Sequence, residues 1–239
     1  MIEAQLRKLR ARDDISAEEE AAIRRSVGEP RTVSAHRTII RALEPLHDST
    51  LLLNGWAARV TDLEGGQRQI TEINVPGDFI DLHSFTLKKL DHDIVALTNC
   101  QLAPVPHERL KEITVKYPHL TRVYWFSTNL DAAVHREWLV STGRRSALSR
   151  VAHLFCELLI RLQLAGCAGE DSYDFPLTQV QLADCVGLTS VHVNRTLQEL
   201  RKRGLIELKE KRLRILDIPS LQRLGEFDPG YLYLEKRAR

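Results

Sequence analysis

Cysteine is scarce in this chain of 239 residues: Cys100, Cys156, Cys167 and Cys185 lie far apart, with no CxxC pair among them. That excludes a dense disulfide framework and fits a reducing cytoplasm. Long apolar runs are also missing. No stretch approaches the ~18 consecutive apolar residues of a membrane helix, and no apolar segment follows Met1-Ile2-Glu3-Ala4-Gln5, so neither a membrane span nor a signal peptide is expected. Glycine and proline are few, 12 and 9, which leaves no room for collagen-like or low-complexity repeats. What remains, 43% apolar and 28% charged, is the balance of a globular chain, long enough for one large domain or two small ones.

The net charge is only +2, but it is unevenly spread. Residues 1–140 carry 18 basic against 20 acidic side chains, residues 141–239 carry 16 against 12, and residues 191–214 carry eight against three. A basic segment in an otherwise balanced chain suggests a polyanion partner there, unless it is a solvated helix face.

After a charged opening (Leu6 to Val27, one or two helices) the pattern has period two. Ser49 to Val60 is rich in strand formers and broken at Gly55; Gly65-Gly66 supplies a hairpin turn; Gln69 to Val75 alternates; Pro76-Gly77-Asp78 is a turn. Phe79 to His83 and then Asp93 to Val105 continue the short strands. These predict an α+β chain opening with an antiparallel β-roll of the double-stranded β-helix type over residues 1–116. From His107 the period lengthens: Glu108 to Lys116 forms a short helix. Leu120, Val123, Leu130, Val134 and Trp138 then mark a long amphipathic helix in a 117–142 segment, expected to pair with a second copy across a two-fold axis. Ser141-Thr142-Gly143-Arg144 reads as a hinge, Ser146 to Leu164 as a helix, and Ala165 to Asp174 as a loop. Residues 143–239 form the last domain.

The most specific stretch is Leu177 to Leu200. Thr178 caps a first helix with Val180 (or Leu182), Ala183 and Val186 inward; Gly187 ends it; Thr189 caps a second helix whose Val193, Leu197 and Leu200 face inward. That leaves Ser190, Val191, His192, Asn194, Arg195 and Gln198 on or near the face that enters the major groove in a helix-turn-helix. Arginine can fork onto guanine, asparagine or glutamine onto adenine, and a valine methyl can meet thymine. Thr178 and Gln179 are placed for phosphate. Leu205 to Leu216 alternates as a two-stranded wing, with Lys209 and Lys211 toward its tip. The partner expected is double-stranded DNA, read through a recognition helix over 189–203.

Leu177 to Asp217 resembles the C-terminal winged helix of the Crp/Fnr transcription regulators. Leu52-Leu53-Asn54-Gly55, Glu64-Gly65-Gly66 and Pro76-Gly77-Asp78-Phe79-Ile80 look like the turns of that family's cyclic-nucleotide-binding roll, so about 200 residues are covered. The resemblance implies a sensor roll, a dimerisation helix and a DNA reader, with RNA polymerase as a further partner if the protein activates. Members that bind cyclic AMP carry Gly-Glu after the PGD turn and Arg-Ser on the next segment; here stand Asp81-Leu82-His83-Ser84 and Leu90-Asp91-His92-Asp93. Carboxylates facing a cyclic phosphate would repel it, so cyclic AMP is not expected as a ligand, and any effector pocket would involve Asp81, His83, Asp91 and His92. Iron-sulfur members cluster cysteines near the N-terminus, whereas none precedes Cys100 here, so no such cluster is expected. Asp81, His83, Asp91, His92 and Asp93 have no metal-site spacing, and no metal is predicted. Many members place glutamate where Val191 stands, while Arg195 matches the guanine-reading arginine.

Two other functions compete. A cupin-like enzyme would need a His/Glu metal cluster, for which His83 and His92 lack the spacing, and there is no nucleophile–base pair or phosphate-cradling glycine loop. A nucleotide-binding module without DNA would have no use for the wing. The expectation is therefore a homodimeric regulator, not an enzyme. Cys185, before the recognition helix, is either a thiol sensor or a small core residue.

Overall fold

Alternating sequence becomes strand wherever one face can be buried, and the computed structural model, which describes residues 1–239, places seven strands in the front half. Two helices, α1 (Glu3–Arg10) and α2 (Ala17–Ser26), precede β1 (Arg31–Val33), β2 (Thr38–Ile40), β3 (Asp48–Asn54), β4 (Ala57–Asp62) and β5 (Arg68–Asn74). A one-turn helix α3 (Ser84–Leu87) leads to β6 (Asp93–Ala96) and β7 (Cys100–Pro106). They form two antiparallel sheets, ordered β1-β7-β3 and β2-β6-β4-β5. Their inward side chains, among them Leu52, Ile80, Leu90, Ile94 and Leu102, fill the space between the sheets. The strands β1 and β2 went unread because each is three residues long. Phe79 to His83 is not a ladder strand. Phe79 makes one isolated bridge to Leu51, and the buried Asp81 carboxylate accepts the Thr50 N–H, which turns the chain toward α3.

The second half begins with α4 (His107–Lys116) and α5 (Pro118–Arg144). Proline at the first helical position suits α5, because its missing N–H is not needed there. The expected hinge at Ser141–Arg144 is helical. A single exposed Gly143 weakens a helix by only about 1 kcal/mol, and the chain leaves the helix at Arg145, with φ −72° and ψ 149°. Ser146 then caps α6 (Ala147–Ala165) by accepting the Ser149 N–H. After it come β8 (Ser172–Asp174), hidden in the segment read as a loop, then α7 (Gln179–Val186), α8 (Ser190–Lys202), β9 (Ile206–Lys209), β10 (Arg212–Ile215) and an unforeseen α9 (Ile218–Gly225). The wing has three strands, β8-β10-β9.

One apolar core joins the halves. Trp56, Val60, Ile70 and Ile73 of the roll pack with Trp138, Phe155, Phe175, Leu182 and Leu197 of the second half, and the Trp56 ring meets Phe175 edge-on at 6.2 Å. This corrects the reading of α5. Leu120, Val123, Val134 and Trp138 are buried inside the protomer, and Leu130 is half-buried against its own chain. The Trp138 indole N–H donates to Glu157 of α6, a fully buried carboxylate that also accepts from Tyr231 (2.7 Å) and Arg161 (3.0 Å). The stripe therefore faces the roll and α6. The apolar residues that α5 presents outward are others: Trp125 and Leu139, 69% and 72% exposed, with exposed Ala132 midway.

Candidate DNA-reading interface

The helix pair forms as its caps dictate. Thr178 accepts the Gln181 N–H while Gln181 accepts the Thr178 N–H, a reciprocal capping box at the start of α7. Gly187 ends α7 at φ 63°, a left-handed conformation that glycine adopts without strain. Thr189 caps α8 through the His192 N–H. Leu182, and not Val180, is the inward residue of α7; it packs with Ala183, Val186, Val193, Leu197 and Leu200. Val180 is exposed.

The opposite face of α8 is open. Ser190, Val191, His192, Arg195 and Gln198 are exposed and Asn194 is half-exposed. Arg195 borders a shallow hollow with Val191, His192 and the N-terminus of α6. It stands apart from the ion pairs of its basic neighbours: Arg203 with Glu199 (2.8 Å), Arg212 with Asp174 (3.2 Å) and Arg214 with Asp171 (2.9 Å). So the excess charge of residues 191–214 is partly neutralised in place. Arg195, Lys202, Lys209 and Lys211 are exposed outside those pairs. The Asn194 amide donates to Gln179 Oε1 at 3.1 Å, which ties the two helices across their polar faces. The Thr178 N–H is spent in the capping box, so at this helix start the groups left for phosphate are the Thr178 hydroxyl, the Gln179 side-chain N–H groups and the first N–H groups of α7. The wing turns through Glu210 and Lys211, both at positive φ, so Lys211 sits at the tip and Lys209 at the end of β9.

Of the four candidate effector residues, Asp91, His92 and His83 adjoin one another and Asp81 stands apart. Asp81 is a buried turn anchor whose carboxyl is pushed up to about 7 by burial. Asp91 is 92% exposed and bonds His92 Nδ1 at 2.8 Å, while Asp93 accepts the Ala42 N–H. Solvent screens Asp91 and weakens the repulsion expected of it against a bound phosphate, while Asp93 is held in place by the Ala42 N–H. His83 and His92 do meet, with ring centroids 5.7 Å apart, and burial pulls His83 down to about 4. Beside them lies a cluster the sequence did not announce. Glu72, Asp131 and His135 place ligand atoms within 4.8 Å of one another, but the Arg59 guanidinium stands 2.6 Å from Glu72 and 2.7 Å from Asp131 and is the cation that this carboxylate pair holds. The only signal was a charged residue interrupting each of two apolar strands. No three cysteines group in this way. Cys185 is a buried core residue whose thiol burial pushes well above its ordinary range, so it is poorly suited to sensing.

An antiparallel roll is thus joined by a 27-residue helix to a winged helix-turn-helix. Residues 30–117 match the cyclic nucleotide-binding domain family and residues 149–224 the Crp-like helix-turn-helix domain family. The nitrogen fixation regulation protein FixK of Bradyrhizobium diazoefficiens is 31% identical over 164 residues, 68% of each chain. The transcriptional activator protein FnrL of Cereibacter sphaeroides is 29% identical over 199 residues, 81% of this chain and 79% of that one. The solved structure of FixK2 from Bradyrhizobium japonicum has a TM-score of 0.76 at 21% identity, over 83% of this chain and 97% of that one. The chain belongs to the Crp/Fnr family and is a transcription regulator with a helix-turn-helix DNA-binding domain. No helix is long and apolar enough to cross a membrane.

Proposed function

We propose that the protein acts as a homodimer that reads a near-palindromic operator with α8, and that cyclic AMP is not its signal. The observation that carries the reading is Arg195, exposed and outside the local ion pairs on the outer face of a helix capped by Thr189. It is available to fork onto a guanine edge, with Val191 and Gln198 beside it for neighbouring bases. Lys209, Lys211 and the start of α7 meet only phosphate. Two-fold symmetry through α5 sets half-site centres about 34–36 Å apart, one turn of DNA. The outward residues Trp125, Ala132 and Leu139 recur every seventh position, the repeat of a coiled-coil seam, and Ala132 lets two helices approach closely. Against cyclic AMP stands the segment Leu90-Asp91-His92-Asp93, which offers two carboxylates and no arginine where the resemblance would put the phosphate-binding Arg-Ser pair. The name of FnrL, a transcriptional activator, favours activation, with RNA polymerase as the further partner.

The experiment is a gel-shift titration of wild type and Arg195→Ala on a selected operator and on random duplex. The expected loss is about 1–3 kcal/mol on the operator, with relaxed preference at one base pair per half-site. An unchanged ratio between operator and random DNA would mean that another face of α8 reads the bases.

A further inference from the structure

Between α1, β5, the Pro76–Asp78 turn, α5, α6 and the chain's C-terminal end lies a cavity of about 110 Å³. One water needs only ~10–15 Å³, so the space can take a small molecule. It lies outside the apolar filling of the roll and does not touch the reading face. Five cations and four carboxylates line it. Lys8 and Arg161 meet Asp78 at 2.6 and 3.2 Å, Arg59 bridges Glu72 and Asp131, and Arg239 is 3.5 Å from Asp13.

Arg12 is the cation left over. It is 8% exposed, and its Nη groups reach only the backbone carbonyls of Lys8 (3.4 Å) and Leu232 (3.2 Å), while its Nε has no acceptor. Burial pushes its pKa down to about 10; Asp78 opposes this from beyond ion-pair distance, and Arg161 and Arg239 add repulsion. A buried guanidinium with no direct ion pair is costly. Three neutral groups on the same wall also lack partners: Gln5 Oε1, Asn74 Oδ1 and the Tyr124 hydroxyl. Native interiors leave few such atoms, and here six surround one space, counting Asp13 Oδ2 and Glu72 Oε2, which have only ion-pair partners. Water can satisfy the neutral three but gives Arg12 no direct ion pair.

We propose that this cavity binds a small carboxylate that also carries a hydroxyl or amino group. The carboxylate lies along the free Nε edge of the Arg12 guanidinium, whose planar fork matches it. An amino group donates to both Gln5 Oε1 and Asn74 Oδ1, a hydroxyl to one of them, and Tyr124 gives or accepts a further bond. Such a ligand touches α1, the roll, α5 and α6 together, so its occupancy is linked to how the DNA-reading half is seated on the sensor.

The test is thermal unfolding and calorimetry on the full chain with glycolate, L-lactate, L-malate and L-glutamate at millimolar concentration. Acetate, lactamide and inorganic phosphate are the comparisons. At least one hydroxy- or amino-carboxylate is expected to raise the Tm saturably, acetate to bind at least tenfold more weakly, and lactamide to have no effect. Arg12→Met removes the charge at similar length and should abolish the response. If that variant does not fold, Asn74→Ala should lower the affinity of the responding compound toward that of acetate. The proposal fails if no carboxylate shifts the Tm, if phosphate alone does, or if the response survives both substitutions.

Discussion

Replacing Trp125 with alanine separates the two faces of α5. The indole is 69% exposed; a tryptophan carries about 150–250 Å², so roughly 100–170 Å² per copy awaits cover. At about 25 cal/mol per Å² this is worth about 2.5–4 kcal/mol per copy. Two copies meet across a two-fold axis, and even partial cover makes the change about 4 kcal/mol, a thousandfold rise in the dimer Kd. Sedimentation velocity over a dilution series measures it, with circular dichroism to show that the fold persists. Leu120→Ala is the counterpart. That residue is fully buried within the protomer, so its loss should lower unfolding stability by about 2–5 kcal/mol and leave the dimer Kd nearly unchanged. A Trp125→Ala protein that dissociates at the wild-type concentration would refute the outward seam, most plainly if Leu120→Ala released the dimer instead.

Three other outcomes follow from the same geometry. Lys211→Ala at the wing tip should weaken all DNA sequences alike and flatten the log–log salt dependence by about one unit, measured by anisotropy at several salt concentrations. Arg59→Met strands two buried carboxylates and should cost about 3–5 kcal/mol at pH 8. Burial already holds the Glu72 carboxyl well above its ordinary value, so the native state keeps that proton better than the unfolded chain and stability falls as pH rises above that ordinary value. Losing the cation raises the Glu72 carboxyl further and lifts Asp131 from about 2, where Arg59 holds it against burial, so the deficit in urea melts should be smaller at pH 5 than at pH 8, and equal deficits would sink the argument. Of the cysteines, exposed Cys167 should react with a thiol reagent in the native protein, whereas buried Cys185 should react only as the protein unfolds.

Much of the fold was legible because it depends on local chemistry. Thr178, Gly187 and Thr189 mark the ends of α7 and α8 by caps and a positive φ, which depend on residue type at fixed offsets. The turns at Gly65-Gly66 and Pro76-Gly77-Asp78 likewise divide the roll into strands. Three-residue strands such as β8 were not legible, because their existence rests on a partner, here β10, nearly forty residues away. The seam of α5 was misread for a related reason. That helix is apolar on more than one side, and periodicity reports that a stripe exists but not what covers it. Trp138 faces inward because Glu157 waits there with room for its N–H.

The candidate site divides in the same way. By residue type and spacing, the sequence alone determined that this is a helix-turn-helix regulator with Arg195 on the reading face, since a helix of known start presents known positions outward. Only the tertiary structure decided which charges are free. It paired Arg203, Arg212 and Arg214 with acids, drew Arg59 between Glu72 and Asp131, and left Arg12 buried without a direct ion pair. Electrostatic energy depends on distance and burial, and residues up to 72 positions apart along the chain acquire both only when the strands and helices pack.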